Sequence, residues 1–89
     1  DRFLDLAPGQ RLAIAEAAEK RDVEEWRRAA NGLKGGARTL GLVLLAAACR
    51  EIERACTIGR LEAAAKMSDS LDEVLARSLA ALRAQAETL

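Results

Sequence analysis

The sequence predicts an all-α protein, built as an antiparallel up-and-down four-helix bundle. Alanine and leucine supply 34 of the 89 residues, whereas valine and isoleucine together number 6 and aromatic residues make up 2%. This composition favours helices, because β-sheets are rich in β-branched and aromatic side chains. Apolar residues also recur three and four positions apart in four segments, which is the helical period. Turns of a few residues between such segments make neighbouring helices antiparallel.

Length and charge restrict the class of protein further. A chain of 89 residues makes one domain, residues 1–89, and its start without a methionine leads us to expect a piece of a longer protein. The 14 basic and 14 acidic residues balance, so we expect no binding of nucleic acid. No run of about 18 apolar residues occurs, so we expect no membrane contact from this segment.

The first helix is expected over residues 2–20. Pro8 interrupts its pattern, and a proline inside a helix removes one backbone hydrogen bond. We therefore expect either a kink at Pro8 or a helix start near Ala7. The apolar residues of this segment are Phe3, Leu4, Leu12, Ile14, Ala15 and Ala18.

The second and third helices are expected over residues 22–40 and 42–58. Asp22 is typical of an N-cap, and Glu25 follows at the spacing of a capping box. Gly41 and Gly59 are typical residues after a helix end. Two apolar stripes alternate spacings of three and four: Val23, Trp26, Ala30, Leu33, Ala37 and Leu40, and then Leu42, Leu45, Cys49, Ile52 and Cys56.

The fourth helix is expected over residues 60–88. Its apolar stripe comprises Leu61, Ala65, Ser68, Leu71, Leu75, Leu79, Leu82, Ala86 and Leu89.

Cys49 and Cys56 lie seven residues apart, which on one helix is about 10.5 Å and too far for a disulfide. We expect two buried, reduced thiols and a cytoplasmic setting. A metal site would need two further ligands, and the sequence has no histidine and no third cysteine. We therefore expect no metal and no cofactor.

The second helix breaks a local rule. Gly32, Gly35 and Gly36 lie inside its helical pattern, and each costs about 1 kcal/mol relative to alanine. At 100° per residue, Asn31 points about 130° and Gly35 about 170° away from the apolar stripe. Both should face solvent, with Lys34 within reach of Asn31. Glycine at position 36 suits helix packing, whereas Gly35 has no neighbour that needs room, which favours a docking or phosphate-handling face over a merely solvated one. The expected basic rim of this face is Arg27, Arg28, Lys34 and Arg38.

Residues 30–41 read Ala-Asn-Gly-Leu-Lys-Gly-Gly-Ala-Arg-Thr-Leu-Gly. They resemble the signature of the histidine-containing phosphotransfer (HPt) domain of bacterial phosphorelays, His-x-Leu-Lys-Gly-Ser/Gly-Ala with a later glycine. The resemblance covers nearly the whole chain, through the opening Phe-Leu-x-x-Ala-Pro, the Arg-Asp before the second helix, and Cys-Arg-Glu-Ile-Glu. It implies a phosphoryl carrier whose partner is the receiver domain of a response regulator or hybrid histidine kinase, and a hybrid sensor kinase as parent.

One position departs from that signature. Asn31 stands where the family has its phosphorylated histidine, whereas two other positions match. By resemblance, Lys34 steadies the phosphoryl oxygens and Gly35 lets the receiver's loops approach. The nitrogen of a carboxamide has its lone pair delocalised into the carbonyl and does not attack phosphorus. We therefore expect this form to be non-phosphorylatable. Asn31 is either an introduced substitution or the native residue of a degenerate domain, and both origins stay open.

The expected docking surface comprises Asn31, Lys34, Gly35, Arg38 and the basic Arg27, with an exposed apolar pair, Val43 and Leu44, beside it. One alternative is a degenerate HPt-like domain that acts only as a protein-interaction or inhibitory module. Another is a dimerisation bundle, although we expect a monomer, and its interface would be the exposed alanines Ala46, Ala47, Ala63 and Ala64. Three glutamates, expected on solvated helix faces with partners one turn away, are Glu51, Glu53 and Glu62.

Overall fold

The computed structural model describes the backbone of residues 2–88 and the side chains of residues 5–85. Its four helices are α1 (Arg2–Lys20), α2 (Val23–Thr39), α3 (Val43–Thr57) and α4 (Leu61–Thr88). Each helix packs against the next, and α1 also contacts α4, which closes the bundle. The predicted fold class, an all-α four-helix bundle, is confirmed. No helix in the described part of the chain is both long and apolar enough to cross a membrane.

All three loops end the preceding helix with the same hydrogen bond, from an amide N–H to the carbonyl five residues earlier. The donors and acceptors are Asp22 and Ala17, Leu42 and Ala37, and Arg60 and Ala55. The residue before each donor has a positive φ angle, 55° at Arg21, 72° at Gly41 and 80° at Gly59. The two predicted glycine caps are therefore confirmed, and Arg21 adopts the same conformation without a glycine's freedom.

The N-cap of α2 is Asp22, as predicted, because its carboxylate accepts a hydrogen bond of 3.3 Å from the backbone N–H of Glu25. The helix therefore begins at Val23. The predicted capping box is only half formed, because the N–H of Asp22 donates to the carbonyl of Ala17 and the carboxylate of Glu25 instead lies 3.5 Å from the guanidinium of Arg28.

The core confirms the stripes of α2 and α3, whose central members are fully buried. In α1 the helix runs from Arg2 through Pro8 without restarting, so the expected start near Ala7 is wrong. Leu12 is half exposed and Ala15 is exposed, although both were expected among the apolar residues. The side chains of Phe3 and Leu4 lie outside the described residues. The buried face of α1 contains Ile14 and Ala18, as predicted, together with Ala7 and Ala17, which were not predicted.

The stripe of α4 contains Leu71 and Leu75, as predicted. It also contains Ala64 and Ser78, so the expectation of an exposed Ala64 is wrong, and Ala46 and Ala63 are themselves partly buried. The expected members Ala86 and Leu89 lie outside the residues whose side chains the structure describes. Spacings of three and four run along the buried line Ala64, Ser68, Leu71, Leu75 and Ser78.

Candidate functional site

The candidate site lies on the face of α2 opposite the core. Trp26, Ala30 and Leu33 are fully buried, whereas Asn31 and Gly35 are exposed one helical turn apart. The backbone beneath them is regular helix, so these two positions project from a convex surface. The face therefore presents a carboxamide with bare backbone beside it.

The three glycines of α2 lie in different surroundings. A Cβ at Gly32 would lie 2.9 Å from the Nε2 atom of Gln10, which is the far end of a flexible side chain of α1 and can move aside. Gly36 is half buried. A Cβ at Gly35 would meet nothing within 4 Å. Gly32 therefore lies beside a side chain of α1, whereas no packing contact within the bundle accounts for glycine at position 35.

Lys34 does not belong to the exposed rim, and this expectation is wrong. Its Nζ lies 2.8 Å from Oε2 of Glu53 on α3, and each side chain is only 18% exposed. The ammonium group of Lys34 is directed toward the α2–α3 interface, where it donates a charge-assisted hydrogen bond to the carboxylate of Glu53. Glu53 was expected on a solvated face with a partner one turn away, and this expectation is also wrong.

The ion pair borders the buried thiol of Cys49. The pKa of Cys49 is raised to about 12, first by burial and then by the nearby charge of Glu53, while the charge of Lys34 lowers it. Burial also raises the pKa of Cys56, against the charge of Arg27. Both thiols are buried and free, as predicted. The site therefore contains no thiolate nucleophile near neutral pH.

The exposed cations of the rim differ in their pairing. Arg28 lies within 3.8 Å of Glu24 and within 3.5 Å of Glu25, so acidic residues of its own helix offset its charge. Arg27 and Arg38 are exposed and form no ion pair within the described part of the chain. These two arginines are the cations that the face offers to a partner.

Two open grooves flank the convex face. The groove on the side of Asn31 is lined by Glu24, Arg27, Arg28, Asn31, Glu53 and Thr57. The groove on the other side runs along the α2–α3 loop and is lined by Lys34, Arg38, Gly41, Leu42, Val43, Ala46, Ala47 and Arg50. Lys34 and Glu53 thus line different grooves, and their ion pair separates the two.

An apolar edge adjoins the second groove. Val43 is 75% and Leu44 is 74% exposed at the start of α3, which are the largest exposures among the large hydrophobic residues whose side chains are described. Arg50 lines the same groove, and the sequence interpretation missed it. It lies one turn after Ala46 on the exposed side of α3, so helical spacing alone could have indicated it.

The chain is thus a small four-helix bundle that carries an exposed carboxamide, bare backbone and exposed arginines on one convex face. The family model for the Hpt domain matches residues 1–85, and the chain therefore belongs to the Hpt domain family. Hpt domains are phosphotransfer modules of phosphorelays and generally interact with the receiver domains of response regulators. Neither the curated proteins nor the solved structures gave a match to this chain.

Proposed function

We propose that this chain is a phosphorelay module that docks receiver domains through the exposed face of α2 and the start of α3, and that it carries no phosphoryl group while residue 31 is asparagine. The observation that carries the proposal is the exposed carboxamide of Asn31 beside the bare backbone of Gly35. By the family resemblance, position 31 is that of the phosphorylated histidine.

The chemistry of Asn31 supports the second half of the proposal. A neutral imidazole has a free in-plane lone pair, whereas the amide nitrogen of asparagine has none to give to phosphorus. Phosphoryl transfer depends mainly on positioning and charge stabilisation, but it still requires an acceptor atom. The sequence contains no histidine that could replace it.

The shape of the face supports docking. Asn31 borders an open groove and is not enclosed in a pocket, so a receiver would have to bring its own active centre to Asn31. The missing side chain at Gly35 leaves room for the receiver's loops, because nothing lies within 4 Å of the position that a Cβ would take. Arg27 and Arg38 would contact acidic groups of the receiver, and Val43 with Leu44 would bury apolar area.

The test is a phosphotransfer assay with receiver domains phosphorylated on aspartate, taken from the organism that encodes this chain. We expect no acid-labile label on the chain as it stands and label on Asn31→His. In the Asn31→His background, Lys34→Ala should slow the transfer, by the role that the resemblance gives this lysine. Label on the asparagine form, or a folded Asn31→His protein that no receiver labels, would contradict the proposal.

A second candidate is a purely protein-binding or inhibitory module, for which phosphate is irrelevant. The observation that favours it is the engagement of Lys34 by Glu53, which leaves no free ammonium beside Asn31. Titration calorimetry separates the two. An affinity for a receiver that does not change when the receiver is phosphorylated supports pure docking, and a clear preference for either form supports a phosphorelay role.

A further inference from the structure

The Lys34–Glu53 pair differs from the other ion pairs of the described residues. Both of its side chains are 18% exposed, whereas each of the other five pairs has a partner at least 50% exposed. At 2.8 Å the pair also has the geometry of a charge-assisted hydrogen bond. Salt screens such a pair less than an exposed one, so it persists under ionic conditions that weaken surface pairs.

Glu53 depends on Lys34 as its partner. Its second carboxylate oxygen, Oε1, is buried and forms no hydrogen bond within the described structure. A ligand that drew Lys34 away would therefore leave a buried, unpaired carboxylate, which is strongly unfavourable. Glu53 also lines the groove that contains Asn31, so its negative charge faces the region where a phosphoryl group would lie.

We propose that Glu53 weakens the binding of phosphoryl groups at the docking face: by pairing with Lys34 it competes for the ammonium group with any phosphoryl group placed beside Asn31. This inference rests on the proposed docking function for its biological meaning, but its physical content concerns residues of this chain alone. Glu53 acts through Lys34, so it is a positioning residue.

Inorganic phosphate is the probe that tests the proposal without a receiver. Phosphate is titrated into the ¹⁵N-labelled protein at constant ionic strength and neutral pH, and the amide signals of Asn31 and Gly35 are followed. We expect the affinity for phosphate to rise about tenfold in Glu53→Gln, because the variant frees one positive charge and removes one negative charge. Glu51→Gln is the matched control, since it makes the same charge change at an exposed position of α3.

The double variant Lys34→Ala/Glu53→Gln assigns the gain to the lysine. If Lys34 is the released group, the double variant loses the gain. Three results overturn the proposal: equal affinities of Glu53→Gln and Glu51→Gln, a gain that persists without Lys34, or wild-type protein that binds phosphate as tightly as Glu53→Gln.

A measurement on the unmodified protein keeps the proposal testable if Glu53→Gln does not fold. The sequence has three lysines, and the other two, Lys20 and Lys66, are exposed. In competitive acetylation read by mass spectrometry, Lys34 should react at least about tenfold more slowly than either, because its side chain is only 18% exposed and its ammonium is paired with Glu53. Equal reactivity would overturn the proposal. Failure of receivers to bind would contradict the docking function and leave these two results unaffected.

Discussion

The indole nitrogen of Trp26 donates a hydrogen bond of 3.0 Å to the hydroxyl oxygen of Ser68, 42 residues later in the chain. The hydroxyl of Ser68 in turn donates to the carbonyl of Ala64 at 2.8 Å. The bond joins α2 to α4, which do not pack against each other as neighbouring helices. A polar bond thus joins two diagonally placed helices of the bundle and anchors the helix that carries Asn31.

Ser68→Ala should lower the free energy of unfolding by about 1–2 kcal/mol, because the buried indole N–H loses its acceptor. Urea denaturation followed by the fluorescence of Trp26, the single tryptophan in the sequence, measures this change. Ser70→Ala is the control, since Ser70 is exposed and its hydroxyl bonds only to the carbonyl of Lys66. Equal effects of the two substitutions would show that the Trp26–Ser68 bond contributes no stability.

Gly35→Ala should stabilise the fold by about 0.5–1 kcal/mol and at the same time weaken receiver docking. The stabilisation is expected because alanine favours the helix and a Cβ at this position meets nothing within 4 Å. Gly9→Ala on α1 is the matched control, because it also adds a Cβ in open space. The midpoint temperature of thermal unfolding should rise in both variants. Calorimetry with a receiver should detect weaker binding only for Gly35→Ala. Equal affinities would argue against close approach at this glycine.

Leu44→Gln should weaken receiver docking by about tenfold while leaving the fold intact, because a largely exposed leucine contributes little to the core but much apolar area to an interface. Ile58→Gln is the control. It removes a comparably exposed apolar side chain just after the opposite end of α3. Calorimetry with the same receiver compares the two, and a loss of equal size in both would contradict a docking edge at the start of α3.

The stability of the bundle should fall as the pH rises above 9. The pKa of Cys49 is raised from 9.0 to about 12 in the folded chain, so the unfolded chain releases this proton first. The stabilisation that the folded chain gains from the protonated Cys49 thiol is complete below pH 9 and is lost between pH 9 and 12. About 1.4 kcal/mol of it is lost by pH 10. Urea denaturation at pH 7–10 measures how steeply the free energy of unfolding falls with pH. The fall should be less steep in Cys49→Ala, and an unchanged dependence on pH would contradict the assignment to this thiol.

The spacing of apolar residues along the chain was sufficient to predict α2 and α3. Within each of these two helices the apolar residues alternate spacings of three and four. Asp22 is a typical N-cap, and Gly41 and Gly59 readily adopt the positive φ angle that ends a helix. The exposure of Asn31 and Gly35 follows from the same periodicity, because a straight helix fixes the direction of every side chain once one face is buried.

Spacing was insufficient for α1 and α4, where alanine is so frequent that several faces look equally apolar. Ala64 is buried and Ala15 is exposed, although the residue type is the same. Which alanine is buried depends on which helices lie beside it. The end of α1 is a similar case, since Arg21 takes a positive φ angle where the sequence has no glycine.

The order of the helices, their antiparallel arrangement and the outward direction of Asn31 were determined by the sequence alone, because backbone periodicity and helix caps are local properties. The pairing of Lys34 with a carboxylate was decided only by the tertiary structure. Its partner Glu53 is 19 residues away on another helix, and the two charges meet only when α2 and α3 pack together. An ion pair between two helices cannot be predicted from the residue spacing within either helix, because the distance between the two charges is defined only in the folded chain.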